Sequence, residues 1–181
     1  ERLKDYYNLG ARFTKWRGVY SISEKYPSNL AMSSNAHALA RYAALVQEAG
    51  MVPIIEPEVL MDGSHSAEIC YTKTSEVIKK CYEELISFKI DLEGTILKPN
   101  MILPGTNSDQ KISSTEIAEL TLKCLKESVP NEVSGIAFLS GGQTEIQATE
   151  NLNQINLMNK SNFVFTYSYG RALQQSALKH W

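Results

Sequence analysis

Short apolar runs of strand length recur along this chain, each followed by a stretch with helical spacing, and that alternation limits the fold more than any other feature. The strand-like runs are Ala11 to Ser21, Met51 to Leu60, the segment ending at Lys98, Gly135 to Leu139, and Phe163 to Ser168. Helical spacing appears in Leu30 to Ala49, in Val77, Ile78, Cys81, Tyr82, Leu85 and Phe88, and in Ile117, Leu120, Cys124 and Leu125. It returns in Thr144 to Met158 and in the stretch from Arg171 to Trp181, while Glu1 to Leu9 reads as the tail of a helix stopped by Gly10. Strands alternating with helices give a parallel sheet with right-handed crossovers, and both an open doubly wound sheet and a closed barrel satisfy that rule.

The polar residues choose between the two. Lys15, Arg17, Glu56, Glu58, Lys98, Ser140 and Ser168 all fall at the expected carboxyl ends of strands. In a barrel those ends converge on one mouth, so the α/β architecture expected is a (β/α)8 TIM barrel. Such a barrel needs about eight strands, whereas five are countable here.

Lys98 ends the apolar run Thr95-Ile96-Leu97, and Pro99 cannot continue a ladder. Burial beside Ile96 and Leu97 disfavours the ammonium form, and a neutral amine is a nucleophile. The same stretch also fits a lysine whose stem packs while its amine reaches water. In Ala11 to Ser21, Phe13, Lys15 and Arg17 share one strand face, which fits either a polar site or a solvated edge strand. In Val52 to Glu58, Ile54, Glu56 and Glu58 share a face, and Pro57 is expected to end regular pairing. Those two carboxylates point the same way, toward a site or toward surface lysines.

Two glycine-bearing strand-to-helix junctions follow. Ser140-Gly141-Gly142-Gln143 precedes the helix from Thr144, and Ser168-Tyr169-Gly170-Arg171 opens the last helix. Glycine lets backbone amides approach an anion at a helix start, and an arginine there suits a phosphate. Two such turns in succession carry more weight than one. Ser113 and Glu116 form a capping-box pattern for the helix carrying Ile117.

Composition excludes several classes. A net charge of -2 with 21% charged residues offers no electrostatic footprint for nucleic acid or an anionic membrane. The longest apolar runs are strand-sized, so no membrane span or signal peptide is expected. Cys70, Cys81 and Cys124 are odd in number and far apart, which suits a reducing, cytoplasmic setting rather than a disulfide scaffold. His37, His65 and His180 show no metal-binding spacing.

The blocks Phe-Thr-Lys-Trp-Arg (13 to 17), Pro-Ile-Ile-Glu-Pro-Glu (53 to 58), Leu-Glu-Gly-Thr-Ile-Leu-Lys-Pro-Asn-Met (92 to 101), Phe-Leu-Ser-Gly-Gly-Gln (138 to 143) and Tyr-Ser-Tyr-Gly-Arg-Ala-Leu-Gln (167 to 174) carry a resemblance. Together, in this order, they resemble the class I, Schiff-base fructose-bisphosphate aldolases of glycolysis and gluconeogenesis. The resemblance implies that Lys98 forms the Schiff base and that Glu56 is the general acid and base. It implies that Lys15 is a further catalytic lysine, near enough to disfavour a proton on Lys98. Arg17 and Glu58 correspond to residues that position the polar site, and Ser140, Gly141, Gly142, Ser168, Gly170 and Arg171 to those that hold a substrate phosphate. The substrate implied is a phosphosugar, with no metal or organic cofactor, in a homotetramer with a possible association with actin.

The resemblance also implies that residues 1 to 181 form a partial TIM-barrel domain supplying about strands four to eight. The first three strands, with an aspartate and a lysine of the family's site, and a C-terminal tail ending in tyrosine would lie outside it. Two other functions fit parts of the pattern. One is a catalytically dead fragment serving as a binding or scaffold module; the other is a Schiff-base lyase of the transaldolase kind, which shares the lysine but not these blocks.

Overall fold

The computed structural model describes residues 1–181 throughout. In chain order it contains α1 (Arg2–Asn8), β1 (Phe13–Tyr20), α2 (Asn29–Glu48), β2 (Val52–Val59), α3 (Ala67–Ser87), β3 (Ile96–Leu97), α4 (Ser114–Ser128), β4 (Gly135–Phe138), α5 (Glu145–Met158), β5 (Phe165–Tyr167) and α6 (Arg171–His180). All five strands are parallel, in the spatial order β1-β2-β3-β4-β5. Each consecutive pair is joined by a helix, as the alternation in the sequence requires.

Local chemistry places the helix boundaries. Ser28 and Ser66 accept hydrogen bonds from the amides of Ala31 and Ile69, capping α2 and α3. Reciprocal capping boxes, Ser113 with Glu116 and Thr144 with Gln147, start α4 and α5. Gly50 ends the first crossover helix with φ of 75°, where a side chain would be strained. The helices press one face onto the sheet. Leu39 of α2, Ile78 and Leu85 of α3, Leu125 of α4 and Ile155 of α5 pack with Ile55, Leu97, Ile136 and Phe138 of the strands. Each such side chain, almost wholly removed from water, contributes about 1.5–3 kcal/mol.

Three details differ from the sequence expectation. Pro57 does not end pairing, because β2 stays in register with β1 from Phe13↔Val52 to Tyr20↔Val59. The Val52 amide donates to Arg12 and the Leu60 amide to Tyr20, so the even-numbered amides of β2 face β1. Pro53 and Pro57, with no amide to give, fall on the opposite edge, toward β3, where Pro57 meets no ladder because β3 is only two residues long. Lys15 and Arg17 lie within β1 rather than at its end, with Gly18 to Tyr20 still to come. The last strand is also shorter than Phe163 to Ser168, since only Phe165–Tyr167 pair with β4.

Candidate active site

Lys15 and Arg17 stand opposite Ile54 and Glu56 in the β1–β2 register. Their side chains nevertheless each reach two residues further along β2. Lys15 Nζ donates to Glu56 Oε2 at 2.5 Å, and Arg17 Nε donates to Glu58 Oε2 at 2.5 Å. The carboxylates are buried, whereas the two cations remain about half exposed and lean inward from the edge strand. Hydrogen bonding to Glu58 raises the Arg17 guanidinium above its ordinary value, outweighing the opposing effect of burial. Burial sets aside the surface-pair reading for Glu56 and Glu58, whereas Lys15 and Arg17 stay on the solvent-facing edge strand and reach the site only through their side-chain tips.

Lys98 completes the cluster from the other side. β3 ends at Leu97, so Lys98 is the first residue beyond it, and its backbone amide still donates to Ile55 O at 2.7 Å. Its side chain is largely withdrawn from water: the residue is 8% exposed, and Nζ lies 3.1 Å from Glu56 Oε1. Lys15 and Lys98 therefore take different oxygens of one buried carboxylate. With all groups ionised, Lys15, Arg17 and Lys98 face Glu56 and Glu58, leaving one cation in excess. That arrangement favours an anionic ligand, and a carboxylate touching two amines is placed to move protons between them and a bound molecule.

The glycine turns lie at the next strand tips. Leu139 donates to the Pro99 carbonyl at 3.1 Å, and Ser168 donates to the Phe138 carbonyl at 2.9 Å, so the ladder steps from the Lys98 segment to β4 and then β5. Gly141 and Gly142 adopt φ of 55° and 80°. A cleft of about 420 Å³ opens there, lined by Ser140, Gly142 and Gln143 from one turn and Arg171 and Lys179 from α6. Ser140, Gly142 and Arg171 are thus brought together. Gly141 supports that turn without lining the cleft, while Ser168 and Gly170 lie beside it on the chain leading to Arg171. No hydrogen bond or ion pair links the cleft directly to the Lys98 cluster.

Two contributors escaped the sequence reading. Gln143 donates to the Ser140 carbonyl at 2.8 Å and accepts from Asn151 at 2.7 Å, bracing the glycine turn against α5. Asn100 bonds β2 and α3 at once. The available signal for both was an amide side chain beside an otherwise apolar strand end. No group of three or more His, Cys, Asp or Glu side chains is placed to hold a metal.

The parallel arc with polar strand tips is that of a TIM-barrel α/β protein. Its relatives narrow this further: the family model for class-I fructose-bisphosphate aldolase matches residues 1–181. A probable fructose-bisphosphate aldolase class 1 from Xylella fastidiosa is 49% identical over 99% of this chain and 54% of its own. The cytosolic fructose-bisphosphate aldolase 4 of Arabidopsis thaliana is 52% identical over 100% of this chain and 46% of its own. Among solved structures, fructose-bisphosphate aldolase from Plasmodium falciparum, in complex with TRAP and a small molecule inhibitor, superposes with a TM-score of 0.97 at 43% identity, covering 99% of this chain and 52% of that one. This chain belongs to the class-I fructose-bisphosphate aldolase family. It spans about half the length of the curated relatives it matches. No helix is long and apolar enough to cross a membrane.

Proposed function

We propose that this chain carries the central machinery of an enzyme that reversibly cleaves fructose 1,6-bisphosphate to dihydroxyacetone phosphate and glyceraldehyde 3-phosphate. The observation that carries the reading is the buried Lys98 amine, 3.1 Å from a Glu56 carboxylate that also binds Lys15. In its neutral form Lys98 attacks the substrate ketone, and Glu56 delivers the proton with which the carbonyl oxygen leaves as water. The Glu56 carboxylate, having given up its proton, takes one from the hydroxyl on the β carbon; that carbon leaves as an aldehyde while the electron pair of the bond between the α and β carbons passes to the iminium, leaving an enamine on Lys98. Lys15 returns or withdraws protons through the shared carboxylate. Arg17, held by Glu58, positions the polar side of the site.

Phosphate is assigned to the second cluster. Arg171 at the start of α6 and the turn of Ser140, Gly141 and Gly142 offer a guanidinium and backbone amides, with Ser168 and Gly170 alongside. Nothing in this scheme needs a metal or an organic cofactor. The high superposition over half of the Plasmodium protein supports placing these strands as about four to eight of an eight-stranded barrel. Cytosolic residence is supported by the names of the Arabidopsis and spinach relatives. A homotetramer, and any association with actin, rest on the family resemblance.

The test is covalent trapping. The full-length protein incubated with dihydroxyacetone phosphate and borohydride becomes irreversibly modified on the peptide containing Lys98. An unmodified Lys98 peptide in the mass spectrum refutes the Schiff base and favours a scaffold module.

A further inference from the structure

Asn100 has no part in that chemistry, yet its side chain binds the segment carrying Lys98 to the strand carrying Glu56. Its Oδ1 accepts from the Val59 amide at 3.0 Å. Its Nδ2 donates to Thr74 Oγ1 at 3.0 Å and to the Met101 carbonyl at 3.1 Å, and lies 3.9 Å from Cys70 Sγ. Asn100, Val59, Thr74 and Met101 are all buried, so none of these bonds competes with water.

The reason lies in the shortness of β3. The edge of β2 facing β3 presents Ile55, then Pro57, then Val59. The Ile55 carbonyl still meets a backbone partner, the Lys98 amide. Pro57 has no amide to satisfy. By Val59 the chain of β3 has left the sheet, and a buried, unpaired amide would cost about 1–3 kcal/mol. The carboxamide of Asn100 takes the place of the missing strand. It alone among side chains of this size offers an acceptor on one side and two donors on the other, as does Gln with a longer reach. Lys98, Pro99 and Asn100 are therefore tied in succession to β2, to Leu139 just beyond β4, and to β2 with α3.

We infer that Asn100 is a positioning residue: by bridging the Val59 amide, Thr74 and the Met101 carbonyl, it holds the Lys98 amine within hydrogen-bonding reach of Glu56. The inference rests on the Schiff-base reading above. It assigns Asn100 no contact with substrate, so its loss slows chemistry while leaving phosphate binding at Arg171 intact.

The experiment uses the full-length protein with Asn100→Leu, of similar size, and the pair Thr74→Val and Thr74→Ser. Asn100→Leu lowers kcat by about 10- to 100-fold, the usual scale for an ångström of misplacement. KM for the bisphosphate stays within about twofold, because ground-state phosphate contacts are untouched. Borohydride trapping with dihydroxyacetone phosphate reaches the wild-type fraction of sites, only more slowly. Thr74→Val shows the same pattern more weakly, and Thr74→Ser restores wild-type kcat. A wild-type kcat in Asn100→Leu overturns the inference, as does a fall in kcat matched by an equal fall in the fraction of trapped sites, which marks mere loss of folded protein. Should Asn100→Leu fail to fold, the threonine pair decides: an unchanged kcat in Thr74→Val, or none restored by Thr74→Ser, overturns it. Wild-type protein that is not trapped at Lys98 overturns the Schiff-base reading and this inference with it. Trapped wild type with unaffected variants overturns this inference alone.

Discussion

Glu56 is the one carboxylate on which two amines depend, with Lys15 on one oxygen and Lys98 on the other. Glu56→Gln keeps the shape but removes the charge and the proton acceptor. A lost general acid–base group costs about 10²–10⁴-fold, so kcat of the full-length Glu56→Gln protein falls by about that factor. A steady-state assay showing kcat within a few fold of wild type assigns proton transfer elsewhere. Under the proposed phosphate role Arg171 behaves differently, because its charge would be offered to phosphate in ground and transition states alike. Arg171→Ala therefore raises KM for the bisphosphate with a smaller change in kcat, and an unchanged KM removes it from phosphate binding. At this scale much was legible. Lys98 and Glu56 stand out as charged residues beside apolar strand runs, and Arg171 as a cation after a glycine at a helix start, each with a bland alternative in the sequence alone. Asn100 and Gln143 do not, since an amide's value lies in which backbone groups its fold leaves unpaired, and only coordinates show that.

Helix starts were legible because capping is local: a hydroxyl and a side chain three residues on decide the geometry. Ser113 accepts from the Glu116 amide at 3.2 Å, and the Glu116 carboxylate accepts from the Ser113 amide at 2.8 Å. Those bonds hold the Glu116 carboxyl below its usual value. Ser113→Ala removes one half of the box and lowers stability by about 1 kcal/mol, read as an earlier urea midpoint with unchanged slope. A midpoint equal to wild type shows that α4 does not depend on its cap. Strand ends were harder. Whether Pro57 interrupts β2 depends on which neighbour its nitrogen faces, and the two-residue β3 that makes it harmless leaves no mark in the sequence. The reach of Lys15 and Arg17 along β2 likewise follows from side-chain lean across paired strands, not from either strand by itself.

For the molecule as a whole, parallel direction followed from the alternation of elements and the sequential strand order from the polar strand tips that favoured a barrel, but the joining of loops above the sheet did not. The loop after β2 and the loop after Lys98 are clasped by backbone bonds from Gly105 to His65, Thr106 to Met61 and Asn107 to Gly63. A side chain at Gly105 would collide with the Gly63 carbonyl, so the clasp needs glycine there. His65 is buried inside it, and neither ring nitrogen has a hydrogen-bond partner. Burial lowers its pKa from the ordinary 6.5, because the charged imidazolium is disfavoured there. The sign follows directly. Below pH 6.5 the unfolded chain takes up a proton that the folded chain refuses, so the stability tied to neutral His65 is complete above that value and is lost as pH falls toward the lowered one. His65→Gln removes the titration. Urea midpoints measured from about pH 7.5 down to about pH 5, the range in which histidine changes charge, should therefore fall more steeply for wild type than for His65→Gln. Carboxylates common to both proteins cancel in that difference. Parallel curves would mean that the clasp opens readily enough to hydrate the ring, and that His65 does not couple the two loops to global folding.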